Sequence, residues 1–499
     1  MENLIDKPFK ENDFYKSYSD EYELLPFNFH KFDDEYLATT ETGEYIFLSR
    51  ENLSLLIHKQ LNHTTNEKLF NELIDKQFIY FKRNQFTIQQ KAIKYRTKKQ
   101  FLTTGAVLHL FVVTTRCEHK CQYCQITPQD KHAKQYDMSF ETARKSVELM
   151  MQFPSPAITV EFQGGETLLA FDTVKEIVNY TNELNKTKNK DIVFVLATSL
   201  VNITEEQLQF IKENDIHLST SLDGPEDLHN QNRPIKSQNT YQKFKEGFFK
   251  SQEITGKRPS PLLTISKSSL NRIEDIIKEY QSFGCQTVSL RALSPYGFAV
   301  KTKSKIGYSV DEYINFYSNS LKYIIELNKS GTYFREDYTT LLLRRILTPY
   351  STGYVDLQSP SGAGISAMVY YYNGEIYPAD EARMLSEMGD KSFLLGNIYE
   401  TSFKELTTHK KLATLVNDSC AESLNDCAEC SYLQYCGCDP LFNYVTQKDH
   451  IGHRPTSDFC KKQKAIFKII FNYLKENDEE TINIFWSWIN NTPHKEILE

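Results

Sequence analysis

The sequence predicts an α/β protein. Its centre is an open, six-stranded partial (β/α)6 barrel of the TIM-like type, with a small winged-helix-like α+β module before it and a cysteine-rich region after it. Three observations predict this. Between residues 105 and 330, six apolar runs alternate with six amphipathic stretches, and such alternation gives a parallel sheet with right-handed crossovers. Polar, chemistry-bearing residues fall just after the apolar runs, at the strand ends where barrels collect their chemistry. Of the ten cysteines, three lie at 117–124 and six at 420–460. The expected divisions are 1–95, 104–330 and 331–499.

The first module begins with short β-type runs at 27–32, 36–39 and 44–48, and Gly43 marks the turn between the last two. One amphipathic helix follows with Leu53, Leu56, Ile57 and Leu61, and a second with Leu69, Phe70, Leu73 and Ile74; Ser49 is the expected N-cap of the first. The layout is similar to domains that take a leader peptide along a sheet edge by strand addition. A packing or dimerisation module fits the same order. Residues 83–104, rich in Lys, Arg and Gln, read as a linker with some helix.

In the barrel, strands are expected at 106–113, 157–162, 191–197, 216–221, 262–266 and 287–292. Helices are expected at 139–152, 171–186, 204–214, 240–254, 271–283 and 311–329. Thr204 and Gln207 have capping-box spacing. The first strand is followed by Cys117, Cys121 and Cys124, and the second by Gln163-Gly164-Gly165-Glu166. Thr198 and Ser199 follow the third strand. Ser219-Thr220-Ser221-Leu222-Asp223-Gly224 ends the fourth, with Arg233 beyond it. Lys267 and Arg291 sit at the last two ends. Three thiolates are one short of a closed zinc or iron–sulfur site, which leaves a metal position open for a substrate or cofactor. The alternative is a zinc loop with its fourth ligand elsewhere, His119 and His132 being nearby.

The C-x3-C-x2-C spacing resembles that of radical SAM enzymes. The resemblance implies a [4Fe-4S] cluster on Cys117, Cys121 and Cys124, whose fourth iron takes the amino and carboxylate groups of S-adenosylmethionine. An electron from the cluster then cleaves the sulfonium to a 5′-deoxyadenosyl radical. On that reading, Gly164 and Gly165 let the backbone approach the ligand closely. Glu166 accepts from its ammonium, Ser221 and Arg233 hold its carboxylate, and Thr198 and Ser199 meet the ribose. Tyr123 shields the cluster.

Cys427-x2-Cys430-x5-Cys436 with Cys460 makes a four-thiolate cage, for which zinc and [4Fe-4S] share the ligand count. Cys420 and Cys438 are spare thiols or alternative ligands, and Cys285 reads as a small buried apolar residue. The set resembles the SPASM branch of radical SAM enzymes, which matures ribosomally made peptides and sulfatases. The resemblance implies an auxiliary [4Fe-4S] cluster on Cys427, Cys430, Cys436 and Cys460. A second auxiliary cluster is not expected, because Ala379 and Pro440 stand where its cysteines would be. Asp380 aligns with the aspartate that is the catalytic base in sulfatase-maturing relatives.

Three stretches, Ala292-Leu-Ser-Pro-Tyr-Gly-Phe-Ala-Val300, Thr352-Gly-Tyr-Val-Asp-Leu-Gln-Ser-Pro-Ser-Gly-Ala-Gly364 and Tyr377-Pro-Ala-Asp-Glu-Ala-Arg-Met384, resemble the His-Xaa-Ser system radical SAM maturases of the HxsB type. That likeness implies a precursor peptide with His-Xaa-Ser repeats as substrate, and a second radical SAM maturase as partner. Electrons would come from an external flavodoxin- or ferredoxin-type donor. The expected activity is an oxidoreductase-type peptide modification begun by hydrogen abstraction. The alternatives are a catalytically degenerate peptide-binding partner, a sulfatase-maturing-type Ser/Cys oxidase and a zinc-stabilised scaffold.

Composition narrows the classes. Forty per cent apolar and 25% charged residues suit a globular protein. A net charge of −7 gives no electrostatic basis for nucleic-acid binding. No purely apolar run approaches the ~20 residues that span a membrane. With no secretory h-region at the start, the expected location is the cytoplasm, where clustered cysteines point to metal rather than disulfides.

Overall fold

The structure is a computed structural model describing residues 22–82 and 86–493. Residues 1–21 of the expected first module, 83–85 at the start of the expected linker and 494–499 of the expected third region lie outside the described residues. The chain forms two compact units that are not simple consecutive blocks. The first is Met1–Gln100, Arg345–Ser351 and Asn425–Tyr435; the second is Phe101–Arg344, Thr352–Leu424 and Cys436–Glu499.

The first unit carries β1 (Glu23–Leu24), β2 (Phe27–Phe32), β3 (Glu35–Thr40), β4 (Tyr45–Leu48) and β5 (Ile79–Tyr80). Strands β2, β3 and β4 form an antiparallel sheet, and β1 pairs with β5. Gly43 takes φ 84° at the turn before β4, a conformation that costs glycine little. Helices Arg50–Ile57 and Glu67–Asp75 follow. Ser49 caps the first by accepting from Asn52 N at 3.1 Å, as the sequence suggests. Leu56, Leu73 and Phe78 are fully buried in this unit's core. The stretch read as a linker is mostly helical, at Phe86–Lys98 and Phe101–Thr104. A late segment joins the sheet, with Asn28 Nδ2 donating to Ala428 O at 2.8 Å and Thr39 Oγ1 to Ser431 O at 2.7 Å.

The second unit holds β6 (Leu108–Thr114), β7 (Ala157–Gly164), β8 (Asp191–Ala197), β9 (His217–Ser221) and β10 (Ser260–Thr264). It continues with β11 (Thr287–Val288), β12 (Leu290–Arg291), β13 (Arg335–Glu336), β14 (Ala367–Tyr370), β15 (Glu375–Tyr377) and β16 (Gly396–Asn397). The main sheet runs β12-β10-β9-β8-β7-β6-β14-β15-β16. Its pairs from β10–β12 through β6–β14 are parallel, and the last two are antiparallel. The six barrel strands are those expected, with one modification. The run at 287–292 divides at Ser289, so that β11 pairs with β13 and β12 with β10. Arg291 N turns back to Ser289 O at 3.0 Å, and Leu290 N donates to the buried Glu336 Oε1 at 3.1 Å.

Strand β14 was not anticipated. It comes from the cysteine-rich region yet pairs with β6, which becomes an interior strand and is buried almost throughout. Phe111, Val112, Phe162 and Leu196 are fully buried beneath the site, each worth roughly 1.5–3 kcal/mol of burial. Helices Phe140–Met150, Phe171–Lys188, Glu205–Glu213, Thr240–Thr255, Ile273–Ser282 and Val310–Lys329 lie where the periodicity placed them. The Thr204–Gln207 capping box is formed in both directions. Among the described residues, no helix is long and apolar enough to cross a membrane.

Candidate active site

The loop after β6 is fixed by its backbone. Cys117 N donates to Gln129 O at 3.0 Å, Gln122 N to Asn232 O at 2.9 Å, and Cys124 O accepts from Ala299 N at 3.0 Å. Arg116 anchors the loop's start through Asp137, with Nε–Oδ1 at 2.7 Å and Nη2–Oδ2 at 2.6 Å. Its cysteines line a cavity of about 280 Å³ at the carboxyl ends of the parallel strands. Gly164, Gly165, Glu166, Thr198, Ser199, Ser221, Arg233, Tyr123 and Asp380 line the same cavity. Lys267 is exposed and is not among the lining residues.

The two glycines bring chain against chain. A Cβ on Gly164 would lie 2.0 Å from Thr114 O, and one on Gly165 would lie 2.1 Å from Arg116 O. Without side chains, the end of β7 presses onto the cysteine loop, with Gly165 N donating to Thr114 O at 2.9 Å and Glu166 N to Arg116 O at 2.8 Å. The buried Glu166 carboxylate accepts four hydrogen bonds from the chain. Oε1 takes Thr198 Oγ1 at 2.6 Å and Leu168 N at 3.2 Å; Oε2 takes Ser199 N at 3.0 Å and Ser199 Oγ. Those four fill a carboxylate's ordinary acceptor capacity. Glu166 thus ties the end of β7 to the residues following β8, and a ligand ammonium would have to displace one of these donors.

On the opposite wall, Tyr123 packs against Cys121 and Ile306. Its hydroxyl donates to Asp223, at 2.7 and 2.8 Å from the two carboxylate oxygens, and accepts from Arg233 Nη1 at 2.9 Å. Burial pushes the Asp223 carboxyl up to about 6, against the pull of Arg233, Tyr123 and Asn232. Burial also raises all three thiols: Cys117 well above its usual value, Cys124 to about 12, and Cys121 despite the neighbouring Arg233. Such thiols become ligands when a cationic group replaces their protons.

Asp380 opens the helix Asp380–Glu387 and is held by the buried Arg383. Nε lies 3.0 Å from Asp380 Oδ1, Nη2 contacts the same oxygen, and Nη1 lies 3.0 Å from Glu387 Oε1. Glu161, Gln163, Arg383 and Asp223 had no assigned role in the sequence reading. Glu161 and Gln163 alternate with the buried Val160 and Phe162, so the two-residue period could have placed them on the barrel's inner face.

The cavity suits a sulfur-bound cluster with a polar ligand. Its three lining cysteines supply the thiolate donors. Both ring nitrogens of the buried His119 and the hydroxyl of the buried Thr220 line the cavity without a hydrogen-bond partner, and such groups call for a ligand or water. Among the described residues, no three His, Cys, Asp or Glu side chains gather as a site for a single metal ion.

Residues 111–280 match the model of the radical SAM superfamily. The chain carries a radical SAM domain. Its cofactors are a [4Fe-4S] cluster and S-adenosylmethionine, and the protein is an enzyme. An uncharacterized protein of Methanocaldococcus jannaschii is 31% identical over 192 residues, 38% of this chain and 63% of that relative's length. A cysteine-type anaerobic sulfatase-maturating enzyme of Clostridium perfringens is 25% identical over 71% of this chain and 93% of its own. Among solved structures, anSMEcpe with bound AdoMet is similar in fold, with TM-score 0.62 and 19% identity over 77% of this chain and 98% of that one. Streptococcus suis SuiB bound to its precursor peptide SuiA has TM-score 0.53 and 14% identity over 88% and 98%. The radical SAM domain and its flanking regions thus share a fold with these two structures.

Of the second cysteine set, Cys427 and Cys430 belong to the first compact unit, where Cys430 N donates to Cys427 O at 2.9 Å in a tight turn. Cys436 and Cys460 belong to the second unit, and Cys460 N donates to Ser457 Oγ at 3.3 Å where the helix Asp458–Glu476 begins.

Proposed function

We propose that the protein is a cytoplasmic radical SAM maturase that modifies a ribosomally made precursor peptide of the His-Xaa-Ser type. The observation that carries this is the sharing of one cavity by Cys117, Cys121 and Cys124, the Gly164-Gly165-Glu166 turn, and Asp380. When bound, the cluster and S-adenosylmethionine supply a 5′-deoxyadenosyl radical able to abstract hydrogen from the peptide. The chain's own part is to hold and to receive. Glu166 keeps two strand ends in register, Ser221 and Arg233 offer donors for a carboxylate, and Tyr123 and Ile306 keep water from the cysteines. Arg383 places two of its three bonds on Asp380 Oδ1, which leaves Oδ2 to receive a proton from the substrate.

A peptide substrate is supported by the relatives' names, since one matures sulfatases and SuiB was solved with a precursor peptide. Oxidation of a Ser or Cys, as in the sulfatase-maturing enzymes, is the second reading, and the placement of Asp380 favours it equally. An auxiliary [4Fe-4S] cluster on Cys427, Cys430, Cys436 and Cys460 rests on their spacing. A flavodoxin- or ferredoxin-type donor and a second maturase complete the proposal.

The test is anaerobic reconstitution followed by iron, sulfide and zinc analysis, with deoxyadenosine release measured alone and with each class of peptide. Two clusters give about eight irons per chain, and Cys427→Ala lowers that to about four. A mass change in a His-Xaa-Ser peptide supports the first reading, and one at Ser or Cys of a sulfatase-type peptide supports the second. Zinc without iron, and no deoxyadenosine, overturns both.

A further inference from the structure

Beside the site lies a second cleft of about 380 Å³, which shares Gln125, Leu262 and Arg291 with the first. Its wall carries Asp356, Glu381 and Asp439 against the cations Arg291 and Lys462; a fourth carboxylate, Asp337, pairs with Arg335 at 3.1 Å. Carboxylates are therefore in excess. An independent feature points to a ligand. Tyr296 lines the cleft, is only 3% exposed, and its hydroxyl has no hydrogen-bond partner. A buried hydroxyl without a partner is costly. Beyond burial itself, Asp439, Glu381 and Asp356 all act to raise the Tyr296 hydroxyl, which places it in the field of all three.

The two cavities are coupled by sequence. Asp380 lines the first and Glu381 the second. Because the two cavities also share Gln125, Leu262 and Arg291, a substrate reaching Asp380 lies beside the second cleft, within side-chain reach of it. We propose that this cleft holds the cationic head of a substrate residue, a guanidinium, ammonium or imidazolium, with Glu381 and Asp439 as its charge partners and the Tyr296 hydroxyl as its acceptor. The proposal deepens the peptide-maturase reading and rests on it. The donor-only head of Arg or Lys leaves the tyrosine's own proton for a carboxylate, so the hydroxyl gains partners in both directions.

The test uses the full chain, anaerobically reconstituted, titrated calorimetrically with the N-acetyl methylamides of arginine, lysine, histidine and norleucine. At least one cationic amide is expected to bind about tenfold or more tightly than the norleucine amide, in keeping with a charge-assisted hydrogen bond. Glu381→Gln weakens that amide about tenfold and leaves the norleucine amide unchanged, and Tyr296→Phe weakens it several-fold. If Glu381→Gln does not fold, Asp439→Asn replaces it, because asparagine preserves the helix cap that Asp439 makes to Leu441 N and Phe442 N. No binding, no cationic preference, or binding indifferent to these substitutions overturns the proposal. Wild-type iron content and deoxyadenosine release are measured alongside. If both are present without a cationic preference, this proposal alone fails; if both are absent, the underlying radical reading fails.

Discussion

Asp380 and Glu381 are consecutive residues at the start of one helix, yet they line different cavities. The helix has no side-chain N-cap, and its unsatisfied N–H groups and dipole favour negative charge at both positions. With Oδ1 taken by Arg383, the proposed function gives Asp380 Oδ2 the part of the base. Asp380→Asn is expected to lower formation of modified peptide by about 100-fold or more, the usual contribution of a positioned base. Product is followed by mass spectrometry at matched iron content, and an unchanged rate would remove Asp380 from the proton path.

Arg383 is a positioning residue for that carboxylate. It is 1% exposed and faces both Asp380 and Glu387. Burial alone would disfavour its charge, but the two carboxylates outweigh this and raise its proton affinity. Arg383→Met leaves the carboxylates without their partner, and removing one side of a buried pair costs about 3–5 kcal/mol. The urea midpoint should fall accordingly. Arg383→Lys should recover most of the stability, but not the two-bond hold on Asp380 Oδ1, and so should leave product formation impaired. Full recovery of both would show that a positive charge is sufficient.

Much of this arrangement was legible in the sequence, for reasons tied to particular residues. The strand and helix periods of the barrel are strong because β6 to β10 are flanked by helices with clear apolar faces. Ser49 and Thr204 announced their helices because capping is a local interaction. Glu166 lines the cavity that the strand ends form, but its protein partners have no sequence signal, since four donors converging on one carboxylate is a product of tertiary folding. β14 escaped notice because four apolar residues, Ala367–Tyr370, read the same in a strand, a turn or a buried helix. The division of β11 from β12 depends on Glu336, 46 residues beyond Leu290, and no local pattern announces it.

Glu166→Gln tests whether this carboxylate's contribution is geometric. The amide keeps the size but turns one acceptor oxygen into a donor, setting it against either Thr198 and Leu168 N or the two donors of Ser199. Leaving such buried donors unmatched costs about 1–3 kcal/mol. The expected result is S-adenosylmethionine binding weakened by about tenfold or more, measured by equilibrium dialysis of the reconstituted protein, with iron content retained. Unchanged affinity would mean that the link from β7 to the residues after β8 does not shape the ligand site.

The carboxylates of the second cleft carry a pH signature. Burial pushes the Asp439 carboxyl up to about 7, and Asp356 pushes it further in the same direction. The backbone N–H groups of Phe442 and Leu441, and Lys462, pull against them. An unfolded aspartate titrates near 3.9, so the folded chain binds this proton more tightly than the unfolded one. The resulting stability is fully present below about pH 4 and is lost as pH rises through about 7. Glu381 and Asp356, also raised by burial, act with the same sign. Asp439→Asn keeps the helix cap and removes one titrating group. The unfolding free energy of the wild type, taken from urea titrations, should therefore fall more between about pH 4 and pH 7 than that of the variant, by an amount of order 2–4 kcal/mol. Parallel profiles would mean that Asp439 does not titrate in this window and that its charge is already compensated within the cleft.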